Sequence, residues 1–182
     1  MRFVLALVLL GCGSEVAGDP VPDAGAAACQ AELLEDEGHD HVAPEAFVDY
    51  GHDPPASGPH FDRWNRSGIY EMPLDPRGYV HNLEHGWVVL LHGPQASAEA
   101  VAALRDLWQD PPADPYCPGA GPPRILVSPA PDLPSKVAAV AWTRVLVGDQ
   151  LDRAALDAFF DDCRGAAGEL AVCADGGEPI FR

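Results

Sequence analysis

His81-Asn82-Leu83-Glu84-His85-Gly86-Trp87-Val88-Val89-Leu90-Leu91 is the stretch where this chain passes from irregular to regular structure. Trp87 to Leu91 is an unbroken apolar run, of the length and kind expected of a buried strand. Gly93-Pro94 ends it, because glycine supplies turn geometry and proline cannot donate to a ladder. Upstream, residues 39–80 are rich in Pro, Gly and Asp. Pro54-Pro55-Ala56-Ser57-Gly58-Pro59 can be neither helix nor central strand. Tyr50, Phe61, Trp64, Tyr70 and Tyr79 are scattered through this region, which predicts a long loop packed on the core.

Downstream the periodicity improves. Ser97 to Gln109 has helical spacing, with Val101, Leu104 and Trp108 on one face and Ser97 as N-cap. Pro111-Pro112 stops it. Arg124 to Ser128 reads as a second strand and Val137 to Leu146 as a third, closed by Gly148-Asp149. Leu151 to Cys163 is a second amphipathic helix with Leu156, Phe159 and Phe160 inward. The order predicts an α+β fold: a small, mainly antiparallel sheet with two packed helices, preceded by the Pro/Gly-rich, His-bearing loop.

All seven His lie between positions 39 and 92. Imidazole is the commonest side-chain ligand for transition metals. His81 and His85 share a face in a helix, and also in a strand, because a spacing of four suits both periods. Glu84 lies beside them only in a helix. HNLEH formally matches the H-x-x-E-H pattern of inverted zinc peptidases. Pro73 and Pro76 before it and Gly86 after it leave room for little more than one helical turn, which argues against a peptidase helix. His60 sits in the rigid Ser57-Gly58-Pro59 loop, and His39 and His41 flank Asp40. Joint occurrence makes His41, His60, His81 and His85 the candidate ligands, with Glu84 orienting a ring N–H. His52 and His92 are weaker candidates. Met72 would favour Cu(I) as a ligand, but a lone Met is more often core filler.

At the N-terminus, Met1-Arg2 precedes an apolar run from Phe3 to Leu10, much shorter than the ~20 residues that span a bilayer. Leu9-Leu10-Gly11-Cys12 resembles a bacterial lipobox. That resemblance implies a signal peptide over 1–11 and lipidation of Cys12, and composition adds an acidic tether over 12–38 and a single His-rich domain over 39–182. Without Asp after Cys12, resemblance to Gram-negative lipoproteins favours the outer membrane, in the periplasm or at the cell surface. The tether holds seven acids and no base between Gly13 and Gly38, and Gln30 to Glu37 within it reads as a short helix. A formal net charge of −17 excludes a nucleic-acid surface and leaves the lipid anchor as the one membrane contact, on a monomer.

Four cysteines besides Cys12 suggest two disulfides in an oxidising compartment. Sequence cannot choose among the pairings of Cys29, Cys117, Cys163 and Cys173. The turn residues Gly165 and Gly168 favour Cys163 with Cys173. No CxxC pair supports a thiolate zinc site.

His41-Val42, Tyr50, Pro54-Pro55, Ser57-Gly58-Pro59-His60, Gly68-Ile69-Tyr70, His81, Leu83-Glu84-His85-Gly86 and Ala141-Trp142 together resemble the bacterial family called domain of unknown function 3105. The resemblance spans residues 38 to 162. Ala56 stands where Thr is usual and Asn82 where Ser is usual. It implies an extracytoplasmic, often tethered protein, and it selects the same four His. The expected function is binding of one transition-metal ion, copper slightly ahead of zinc. The alternatives are a metal-dependent hydrolase or oxidoreductase with Glu84 as acid/base, and a metal-free interaction module.

Overall fold

The apolar run folds as strand Val88–His92, at the centre of the sheet. The computed structural model describes residues 31–119, 121–165 and 173–182. Within them lie strands β1 (Glu32–Leu33), β2 (Gly68–Ile69), β3 (Val88–His92), β4 (Ile125–Pro129), β5 (Val137–Ala141) and β6 (Arg144–Gly148), and helices α1 (Pro76–Glu84), α2 (Ala98–Gln109) and α3 (Arg153–Cys163). The strands form one sheet in the order β1-β6-β5-β3-β4-β2. The β1–β6, β5–β6 and β3–β5 pairs are antiparallel, and β3–β4 and β2–β4 are parallel. The result is the α+β fold expected, with α2 making the crossover that a parallel β3–β4 pair requires.

Alternation along β3 separates two cores. Val88 and Leu90 pack with Ile125, Val127 and Ala139 against Leu104 and Leu107 of α2 and Leu156, Phe159 and Phe160 of α3. Val89 and Leu91 pack with Leu126, Ala138 and Val140 against Tyr79, Val80 and Leu83 of α1. Both sheet faces are therefore covered, which is why β3, β4 and β5 read as continuous apolar runs instead of alternating ones.

Four expectations change. Val137 to Leu146 is two strands joined by a two-residue turn at Trp142-Thr143, with Ala141 opposite Arg144. Thr143 takes φ 56°, a conformation that Gly or Asn usually signals, so the hairpin had no sequence mark. Of the stretch Gln30 to Glu37, the described residues 31–37 are not helical: Glu32 and Leu33 pair with β6, and Leu34 N donates to Thr143 O. The open edge of β6 offers partners at once, whereas a helix that short must bear its nucleation cost alone. The inward face of α2 is Ala100, Leu104 and Leu107, rotated slightly from the one expected.

The fourth change matters most. Residues 76–84 form a helix, so there are three helices and not two among the described residues. Asp75 is its N-cap, accepting from Arg77 N, and Pro76 is its first residue. Proline there has no helical bond to lose and a backbone already preset for helix. The proline that argued against a helix marks its start. At the other end Gly86 N donates to Leu83 O and Trp87 N to Asn82 O. This pair of bonds around Gly86 at φ 76° is a Schellman stop.

Among the described residues no helix is long and apolar enough to cross a membrane. Cys117 pairs with Cys173, which replaces the expected Cys163–Cys173 link. The glycines after α3 indicated that the chain could turn, but not toward which partner. Cys163 is also disulfide-bonded. Cys29 and Cys12 lie outside the described residues, as do the expected signal segment and most of the tether.

Candidate metal centre

Helix α1 carries His81 and Glu84 on its buried face, with His85 as its C-cap. The separations of three and four residues place all three groups side by side. The Pro-rich loop brings His60 to the same place, fully buried. His41 arrives on an extended arm that pairs with the loop in parallel. Val42 N donates to His60 O at 2.7 Å, and His60 N donates to Asp40 O at 3.0 Å. His41 and His60 thereby stand in register.

Three stretches of backbone thus deliver imidazoles to one point. His41, His60, His81 and Glu84 each offer a donor atom, all within 4.8 Å of one another. The rings of His41 and His81 stack at 5.1 Å, and His60 meets both edge-on. His85 adjoins them: its Nε2 is 2.9 Å from Nε2 of His81. Glu84, expected to orient a ligand, stands within the donor group itself.

The hydrogen bonds aim these rings. His60 Nδ1 lies 2.8 Å from Gly58 O, and His81 Nδ1 lies 2.6 Å from Phe61 O. A carbonyl only accepts, so both Nδ1 atoms carry the proton and donate. In the neutral rings the Nε2 lone pairs are left facing inward. His60 Nε2 then faces Glu84 Oε2 at 3.1 Å, one acceptor against another inside the protein. Such a contact needs an extra proton or a cation to be favourable. Two donors each ~2.0–2.2 Å from one ion lie roughly 3 Å apart, so a metal fits this spacing.

Burial pushes the His81 ring down to about 4, helped by its neighbours His60, His85 and His41 and opposed by the bond to Phe61 O. The folded metal-free protein therefore keeps His81 neutral where an unfolded chain takes up a proton. This contribution to stability is present in full above the ordinary value of 6.5 and is lost as pH falls toward 4. The slope approaches ~1.4 kcal/mol per pH unit in that window, about 3 kcal/mol in all. Melting of chelator-treated protein between pH 7.5 and 4.5 measures it. A flat profile across that range would show that His81 is not held neutral.

The surroundings hold the centre rigid. Asn82 Nδ2 donates to Asn65 O at 2.7 Å and Asn82 Oδ1 accepts from Asn65 N at 2.9 Å, tying α1 to the segment after His60. The C-terminal tail closes over that segment through Ile180 N to Asn65 Oδ1 and Gly177 N to Trp64 O. Trp64 packs against His81 and His85 with centroids at 5.2 and 5.0 Å. Arg124 reaches across to donate to the carbonyls of both His85 and Gly86. Asn65, Asn82, Trp64 and Arg124 carried no sequence signal as supports, because their partners are backbone atoms and rings distant in the chain.

The other His lie elsewhere. His39 is exposed, His52 stands 3.8 Å from Glu37, and His92 ends β3. Met72 is exposed, so it is not core filler.

The model of the family described as "Protein of unknown function (DUF3105)" matches residues 41–174. The chain belongs to this family. Comparison with curated proteins and with solved structures returned no match. The residues that carried the DUF3105 resemblance have structural work to do around the His group. Tyr50 Oη donates to Pro59 O, and Ser57 Oγ accepts from Glu37 N. Gly58 takes φ 109°, a conformation L side chains rarely adopt, and a Cβ there would crowd Tyr50 and Glu37 at 3.1 and 3.2 Å. Trp142 meets His60 edge-on. The DUF3105 pattern here builds the holder as well as the donors.

Proposed function

We propose that this protein is a lipid-anchored, extracytoplasmic carrier or keeper of one transition-metal ion, bound by His60, His81 and Glu84 with His41 as the fourth donor. The observation that carries the reading is the pair of pinned tautomers, which turns the His60 lone pair onto the Glu84 carboxylate. Imidazole with carboxylate suits Cu(II) or Zn(II) and lacks the soft sulfur that Cu(I) prefers, so divalent copper leads, with zinc next. Four protein donors fill a four-coordinate site, tetrahedral for Zn(II) or flattened for Cu(II), which favours holding over hydrolysis. Glu84 placed among the donors is not free to serve as a general base. The Cys117–Cys173 disulfide suits an oxidising compartment. The apolar run before Gly11-Cys12 supports lipidation of Cys12, and Gly13 in place of an Asp after it supports an outer-membrane location.

The test is metal analysis of the full chain, exported to the periplasm in metal-replete medium and purified without a His tag. About one ion per chain is expected. Glu84→Gln separates the metal-free alternative. A glutamine amide would donate to His60 Nε2 and satisfy a metal-free pair, but it is a poor ligand. Wild-type protein that is folded and carries no metal, with Glu84→Gln equally stable, would overturn the reading.

A further inference from the structure

The four donors differ in one respect that bears on how an ion would come and go. His60, His81 and Glu84 are buried, whereas His41 is exposed. The rings of His60 and His81 are locked by carbonyls of the loop. Among the described residues no hydrogen bond orients the His41 ring. Its backbone is nonetheless fixed. Gly38 O accepts from Gly58 N, the His60 pairing brackets residues 40–42, and Arg77 Nη1 donates to the carbonyls of Pro44 and Ala46. A ring on a fixed backbone, stacked on His81 yet open to solvent, moves by side-chain rotation alone. No packed core has to open for it to leave.

We propose that His41 is the exchange ligand of this centre: the ion enters and leaves on the His41 side, and small nitrogen donors from solution can take over the position that His41 vacates. The inference rests on the metal reading above and adds a division of labour to it. Three buried donors hold the ion and one exposed imidazole gates it. This is the arrangement expected of a protein that passes its metal on, because a donor ring from outside can replace His41 while the other three bonds stay in place.

Co(II) is a suitable probe, since its visible spectrum reports the donor set. The full chain and its His41→Gly and His41→Gln variants are titrated with Co(II), then challenged with EDTA and, separately, with imidazole. Wild type is expected to bind one equivalent. Both variants should keep that stoichiometry and release Co(II) to EDTA roughly tenfold faster or more, the change lying in the off-rate. Imidazole should bind saturably to the His41→Gly complex, restore the wild-type spectrum and slow release, and should do neither for a His60→Gly variant, whose position is sealed. Unchanged release from the His41 variants would overturn the proposal. So would complete loss of Co(II) binding in them, or a His41→Gly spectrum indifferent to imidazole. A wild-type chain that binds no Co(II) would instead strike at the metal reading itself, so the two failures are told apart in the first titration.

Discussion

His81→Ala is expected to lower metal affinity by about a hundredfold or more, about 2.7 kcal/mol on the usual scale of tenfold per 1.4 kcal/mol. His81 is the ring at the middle of the group. It stacks on His41, meets His60 and His85, and packs under Trp64. Its removal takes away one donor and the wall against which two others rest. It also strands the carbonyl of Phe61, which accepts from His81 Nδ1. An unsatisfied buried acceptor costs about 1–3 kcal/mol, so the metal-free variant should melt lower as well. The two losses separate by measurement: chelator competition reads the first and thermal unfolding without metal reads the second. His92→Ala is the matched control, because that ring ends β3 outside the donor group and should leave affinity unchanged. A His81→Ala protein that is folded and competes for metal as wild type does would remove His81 from the centre.

Much of this centre was legible because its chemistry repeats along the chain. His41, His60, His81 and His85 could be picked as a set from residue type, spacing and family resemblance, without knowing the local conformation; the donor group in the structure holds His41, His60 and His81, with Glu84 in place of His85. An even spacing survives either period, so the pairing of His81 with His85 did not depend on finding helix α1. The role of Glu84 did depend on it. Prolines at 73 and 76 read as breakers, and only the Asp75 cap shows that Pro76 opens a helix. Once the helix is there, the carboxylate stands among the donors.

The strands and long helices were readable for a related reason. β3, β4, α2 and α3 draw their stability from local patterns of apolar residues, and such patterns are written in the sequence. The two-stranded edges were not. β1 and β2 are two residues each, set by pairing with β6 and β4 and not by propensity. The Trp142-Thr143 turn lacked a Gly or Asn. The Cys117–Cys173 link depends on where loops far apart in sequence meet. Each of these is decided by tertiary contact, for which a single chain offers no local sign.

Arg124→Met is expected to be strongly destabilising, by about 3 kcal/mol. The guanidinium is 3% exposed. Its Nε and Nη2 donate to the two oxygens of Asp114 at 2.7 and 3.2 Å. Its Nη1 donates to His85 O at 2.9 Å and Gly86 O at 3.0 Å. Burial pushes the Asp114 carboxyl up, but the bond and charge of Arg124, with Arg164 behind it, hold it below its ordinary value. The carboxylate is therefore ionised at neutral pH and would stay behind when Arg124 is removed, together with two carbonyls at the end of α1. Arg124 is buried and Asp114 half-buried, and breaking one half of such a pair costs more than the pair contributes as a whole. That asymmetry supplies the check. Arg124→Met with Asp114→Leu removes both charges while Arg164 keeps Asp161 as its ion-pair partner, so the double variant should recover part of the loss and be more stable than the single one. At roughly 2–4 °C per kcal/mol for a chain of this size, the single variant should melt about 6–12 °C lower. The same bonds fix where His85 leaves the helix, and a Cβ on Gly86 would crowd Arg124 Nη1 and Gly165 Cα, both 3.0 Å from where it would stand. The His-Gly step after Glu84 is thus shaped from outside the donor group, by an arginine nearly forty residues away. A double variant no more stable than Arg124→Met alone would mean that the stranded carboxylate is not what the loss measures.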